Sequence, residues 1–158
     1  MLILLTISLG QGLVFSQAPD RKIQVEFHWA EGAPGKGLTE ARVPKTGESI
    51  YLHKEALITN EDIIGAEALE DPSTRGGYKI ALVFTKQAAE RMAKATKQSD
   101  GKRLAVLFEG SVISAPFLSG SIHDKAVITG EITKVEAERI ASDLNRASRK
   151  NSRFLQRK

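Results

Sequence analysis

The sequence predicts an α+β domain: an antiparallel or mixed β-sheet with two helices packed on one face, in the order β-β-α-β-β-β-α. Three observations predict it. Residues 101–130 hold two apolar runs joined by Glu109-Gly110, which reads as a β-hairpin, with a further short strand behind it. Lys22 to Trp29 alternates apolar and polar residues without a fault, the period of a strand. Thr85-Lys86-x-x-Ala89-Glu90-Arg91-Met92-Ala93 is echoed by Thr133-Lys134-x-x-Ala137-Glu138-Arg139-Ile140-Ala141 at an offset of 48, and each copy follows a strand. Two strand-to-helix units side by side on a sheet, or two chance matches of capped helices, give the same layered architecture.

The chain opens with Leu2 to Phe15, a mostly apolar run of 14 residues, too short for the roughly 20 that cross a bilayer. Ser16-Gln17-Ala18 then places small residues at signal-peptidase spacing, so residues 1–18 are expected to be a secretory signal, although no basic residue precedes the apolar run. The mature chain would be secreted or periplasmic; if the N-terminus is not a signal, because the start is misassigned or the segment is a buried strand, it would be cytoplasmic. Residues 19–48 form an N-terminal strand and a Gly/Pro-rich loop. In the strand, Ile23, Val25, Phe27 and Trp29 share one face, while Lys22, Gln24, Glu26 and His28 face water. The loop's Gly-Ala-Pro-Gly-Lys-Gly is no phosphate loop, because Gly37 is followed by Leu38 and the required hydroxyl is absent.

Residues 49–145 are read as the folded α+β unit. Ser49 to His53 is a short strand. Thr59-Asn60-Glu61-Asp62 has the form of a capped helical turn, with Asp62 placed to answer Thr59. Ile63 to Glu70 fits a strand or a helix; a hairpin with the strong strand Tyr78 to Phe84 is the preferred reading. Thr85 caps a helix to about Lys97. Thr133 and Glu136 form a capping box for the second helix, whose Ala137, Ile140, Ala141 and Leu144 recur at helical spacing. Between the helices, Leu104, Val106 and Phe108 alternate with their neighbours, Ser111 to Phe117 runs extended until Pro116 removes a donor, and Ala126 to Thr129 ends at Gly130.

With the order of these pieces in view, residues 50–145 resemble the head of the first large extracytoplasmic domain of SecD, a subunit of the bacterial protein-export machinery. The resemblance lies in Val83-Phe84-Thr85, Thr96, Gly101-Lys102, Leu104 to Leu107, Glu109-Gly110, Val112 to Pro116, Ile122, Ile128-Thr129-Gly130 and Thr133 with Glu136-Ala137. Upstream, Leu57-Ile58-Thr59, Asp62-Ile63 and Ala66 also fit. Glu109 stands where that family usually has Asp. Proton coupling in SecD-type proteins sits in a membrane part, so the resemblance implies a free-standing, non-enzymatic head that contacts unfolded or exported polypeptide, with Sec translocon components as partners.

Charge and chemistry narrow the function further. Six basic residues and no acid stand between Arg146 and Lys158; subtracting them from 23 leaves 17 basic against 19 acidic residues, a body near neutrality. Nothing therefore specifies nucleic acid. The tail 146–158 is expected to be disordered, with weak contact to an anionic surface through Arg146, Arg149, Lys150, Arg153, Arg157 and Lys158. Without cysteine there is no disulfide, thiolate metal site or cysteine nucleophile. His28, His53 and His123 are scattered, so no catalytic residue, metal ligand or cofactor site is assigned. The candidate contact surface is the sheet edge at Ser114, Ala115, Pro116 and Phe117. It would accept an extended peptide strand, or merely turn the chain with Pro116 blunting the edge. The alternative function is an envelope ligand- or partner-binding domain unrelated to translocation.

Overall fold

The computed structural model describes residues 24–155 except 45 and 100. The expected signal segment 1–18 and residues 156–158 of the tail lie outside the described residues.

Among the described residues eight strands and two helices follow one another: β1 Val25–Glu31, β2 Thr39–Arg42, β3 Ser49–Ile58, β4 Ile63–Glu70, β5 Tyr78–Phe84, α1 Lys86–Thr96, β6 Arg103–Phe108, β7 Ser111–Ser114, β8 Lys125–Ile132 and α2 Lys134–Leu155. The class is α+β with two helices, as expected. The strands divide between two antiparallel sheets: one of five in the order β2-β3-β1-β6-β7, one of three in the order β4-β5-β8. β1 runs through the middle of the larger sheet, paired to β3 on one side and β6 on the other.

Sequence chemistry explains most of the joints. Glu109 and Gly110 both take positive φ, 49° and 79°, the mirror-image turn whose twist matches two antiparallel strands. The Thr59 amide donates to Asp62 Oδ2 at 3.0 Å, which closes a single 3-10 turn, Asn60–Asp62. Thr85 Oγ1 accepts from the Ala88 amide at the start of α1. At α2, Glu136 Oε2 takes the Thr133 amide at 3.0 Å while Thr133 Oγ1 takes the Glu136 amide at 3.3 Å, the expected reciprocal box. These donors hold the Glu136 carboxyl below its ordinary range, the Thr133 hydroxyl contributing most.

One apolar core joins the two sheets and both helices. Phe27, Ile58 and Val106 of the larger sheet meet Ile80, Leu82 and Ile128 of the smaller, with Met92 of α1 and Ile140 and Leu144 of α2. Phe27 and Phe84 meet edge to face, 6.0 Å between ring centres. A second, smaller core covers the other face of the five-stranded sheet, built from Ala30, Val43, Ile50, Leu52, Ala105, Leu107, Val112 and Ala115.

That second core corrects the placement of His28. It is 8 % exposed rather than solvated, because its strand is central, flanked by β3 and β6, and the second apolar cluster lies on its outer face. Its Nδ1 lies 2.8 Å from the His53 carbonyl oxygen. Three further expectations change. The Gly/Pro-rich segment contains a strand, β2, which pairs with β3. The strand expected at Ala126–Thr129 runs on through Gly130 and joins β5 in the smaller sheet, not the hairpin. And α2 does not stop near Asn145: no Gly or Pro interrupts residues 146–155, so the expected disorder there is replaced by helix. Asn145 and Ser148 fasten that extension to β4. The Asn145 side chain accepts the Ala66 amide at 2.9 Å and donates to the Ala66 carbonyl at 2.8 Å, and Ser148 Oγ donates to the Ile64 carbonyl.

Candidate binding groove

Ser114 to Phe117 follows β6 along the outer edge of the five-stranded sheet. Beyond β7 the pairing continues irregularly: the Leu104 amide donates to the Pro116 carbonyl at 3.0 Å and the Leu118 amide to the Lys102 carbonyl at 2.8 Å. In an antiparallel ladder the intervening residue faces the other way, so the Phe117 N–H and C=O point away from β6. Pro116 contributes no donor to the ladder, which suits an edge. Ala115 is buried, whereas the Phe117 side chain is 67 % exposed.

A groove of about 910 Å³ runs beside this edge. One wall is Ile113, Ser114, Ala115 and Pro116; the other is Val127, Thr129 and Glu131 of β8. Those β8 residues alternate with Ile128 and Ile132, which point into the main core, so the groove is walled by the smaller sheet's uncovered face. β8 approaches β7 at Gly130, where a Cβ would lie 3.4 Å from the Ile113 carbonyl oxygen. Asp71, Ser73 and Lys79 line the groove at its smaller-sheet side. The Ser73 hydroxyl and amide bond Asp71 and hold its carboxyl below its ordinary range.

Arg103 forms the end of the groove. It is 9 % exposed, and its Nε donates to the Ala115 carbonyl at 2.9 Å. Its two terminal nitrogens donate to the Glu48 carboxylate at 2.6 and 2.9 Å. Past Arg103 lies a second cavity of about 290 Å³, lined by Trp29, Glu31, Glu48, His53, Lys102 and Phe117 among others. Lys102 Nζ sits 5.7 Å over the Trp29 ring and Arg103 Cζ 4.9 Å over the Phe117 ring. His53 Nε2 is 2.9 Å from Glu31 Oε1.

The four residues singled out from sequence thus stand together on one edge, Ser114 to Pro116 on the groove and Phe117 on the cavity. Trp29, Glu48, His53, Lys102 and Arg103 were not singled out. Trp29 was visible as the chain's single tryptophan at the end of an alternating strand, and Lys102-Arg103 as a basic pair opening an apolar one. Glu48 gave no signal, since its partner lies 55 positions away. Among the described residues no group of His, Asp and Glu is placed to hold a metal ion. His123 sits in the polar turn before β8, apart from the cavity that contains His53.

Comparison with known proteins adds a consistent picture. The family described as the SecDF P1 head subdomain matches residues 36–148. The SecD translocase subunit of Aquifex aeolicus is 32% identical over 158 residues, covering 97% of this chain and 29% of that protein. The SecDF subunit of Thermus thermophilus is 36% identical over 93 residues, covering 58% of this chain and 12% of that protein. This chain therefore spans less than a third of either relative. Among solved structures, a SecDF described as a membrane component that enhances protein export superposes with a TM-score of 0.60 at 23% identity, over 78% of this chain and 62% of that one. A SecDF in a super-membrane-facing form gives 0.61 at 26% identity, over 78% and 19%. No helix among the described residues is long and apolar enough to cross a membrane.

Proposed function

The chain belongs to the SecDF P1 head subdomain family, and from that premise we propose that it is a non-catalytic, extracytoplasmic binding module of protein export. Its groove would hold extended polypeptide, with Sec translocon components as its partners. The relatives' names support the export role: they are translocase subunits, and one solved SecDF is described as enhancing protein export.

The observation that carries the reading is the pairing of an exposed strand edge with an uncovered sheet face. Phe117 offers its outward N–H and C=O on the edge that continues from Ser114, and Val127 and Thr129 stand across about 910 Å³ of open groove. A peptide laid there gains main-chain hydrogen bonds from the edge and side-chain contact from β8. That is how strand addition separates affinity from sequence preference. An export module needs that separation, because main-chain bonding is nearly blind to sequence.

The β4 edge of the smaller sheet is closed to this use at Ala66. Asn145 occupies both main-chain groups of Ala66 on β4. The test is an NMR titration of the chain with unfolded secretory polypeptides. Shifts confined to residues 113–117 and 127–131 are expected; an unchanged spectrum at roughly millimolar peptide overturns the proposal.

A further inference from the structure

We propose that the cavity between Trp29, Lys102 and Phe117 is a side-chain subsite of the groove, and that it takes an aromatic side chain of the bound polypeptide. The inference rests on the groove reading above and adds a preference to it.

Continuity is the first support. Arg103 lines both the groove and the cavity, and the chain passes from Ala115 and Pro116 on the one to Phe117 on the other. The Phe117 N–H and C=O point outward, so a strand that pairs with the edge places a side chain beside Phe117. Size is the second. About 290 Å³ lies below the range of cavities that enclose a whole drug-sized ligand, and has room for one large side chain.

Electrostatics then selects among side chains. Both acids in the cavity are engaged, Glu48 by Arg103 and Glu31 by His53. A basic side chain would meet the Lys102 ammonium, would find both Glu48 oxygens taken by Arg103, and would share Glu31 with His53. An acidic one would meet Lys102 at a solvent-exposed position, where a single ion pair adds little. An aromatic ring disturbs neither pair. It covers Phe117, an aromatic left 67 % exposed, and approaches the Trp29 indole in the geometries that aromatic pairs favour.

Trp29 is the chain's single tryptophan, so its emission reports this cavity alone. The full chain is titrated with a short Ser/Thr/Val peptide carrying one central phenylalanine, and with the same peptide carrying alanine there. Binding is followed by Trp29 fluorescence and, independently, by calorimetry. The expected result is affinity about tenfold or more higher for the phenylalanine peptide, a Trp29 response to it alone, and loss of that preference in Phe117→Ala. Phe117 is exposed, so this variant is expected to fold, which its circular dichroism checks. Equal affinity for both peptides without a Trp29 response overturns the subsite and leaves the groove standing. Calorimetric silence with both peptides overturns subsite and groove together.

Discussion

Arg103 grips Glu48 through two parallel contacts of 2.6 and 2.9 Å, joining the start of β6 to the residue just before β3. The fork geometry suits a planar guanidinium and not an ammonium. Because Nε also holds the Ala115 carbonyl, one side chain fixes the groove's end, the second core and the sheet edge.

Arg103→Met is therefore expected to destabilise the chain by about 1–3 kcal/mol, the cost of leaving a buried carbonyl without its donor. At this chain length that corresponds to a loss of roughly 2–4 °C in Tm per kcal/mol. Arg103→Lys is expected to recover only part of it, since one ammonium cannot serve Ala115 and both Glu48 oxygens together. Thermal unfolding of the three proteins measures both.

Acid should weaken this link in a defined direction. Hydrogen bonding from Arg103 is the main cause that holds the Glu48 carboxyl below its ordinary value of 4.5. A depressed carboxyl contributes stability that is fully present above that ordinary value and is lost as pH falls through the folded one. Urea unfolding of the chain and of Glu48→Gln, from about pH 7 to about pH 3, is expected to show their difference shrinking below about pH 4.5. A difference independent of pH would remove the ionic account of the pair.

The local chemistry of this fold was legible, and its partnerships were not. The Glu109-Gly110 turn, the Thr85 cap and the Thr133-Glu136 box follow from residues a few positions apart, and each stands where its spacing puts it. The division into two sheets could not be read, because Ala126 to Thr129 has the same alternation whichever strand it joins. His28 was misplaced for a related reason: alternation shows two faces but not how crowded the outer one is, and here His28 lies between Ala56 of β3 and Ala105 of β6 with its Nδ1 2.8 Å from the His53 carbonyl oxygen. In α2 the absence of a stop signal was legible, but charge density drew the reading towards disorder. Of the groove, one wall was visible as an edge with Pro116; the facing wall belongs to a strand whose partner the alternation does not name.

Gly130 sets the distance between the walls. An alanine there places its Cβ 3.4 Å from the Ile113 carbonyl oxygen, an ordinary if close contact, and is expected to change stability by no more than about 0.5 kcal/mol. Valine adds two methyl groups in the same space. Gly130→Val is expected to cost roughly 1–2 kcal/mol by pushing β7 and β8 apart, and to weaken peptide binding in the calorimetric titration. Unchanged binding by a folded Gly130→Val would show that groove width does not govern affinity.

Asn145 offers a test on the opposite side of the smaller sheet. Its side-chain amide pairs with both main-chain groups of Ala66, as a neighbouring strand would. Asn145→Ala is expected to cost about 1–3 kcal/mol and to speed hydrogen exchange at the Ala66 amide. Asn145→Asp keeps the acceptor for that amide but cannot donate to the carbonyl, so it should protect the amide while still destabilising. Equal exchange in all three proteins would exclude the clamp.

The central place of β1 in the larger sheet has a consequence for a chain made, or threaded through a membrane, from its N-terminus. Val25 pairs across from Phe108, so the first described strand lacks one of its neighbours until Phe108 has appeared. β3 arrives earlier, but a lone pair of strands is marginal in water. The hairpin at Glu109-Gly110 closes locally and quickly, and it then supplies β6 as the missing neighbour. Assembly of the larger sheet is thus timed by its late hairpin. Until that hairpin arrives, the nascent domain is itself an extended polypeptide with an open strand, the kind of chain that the proposed function would have its groove receive.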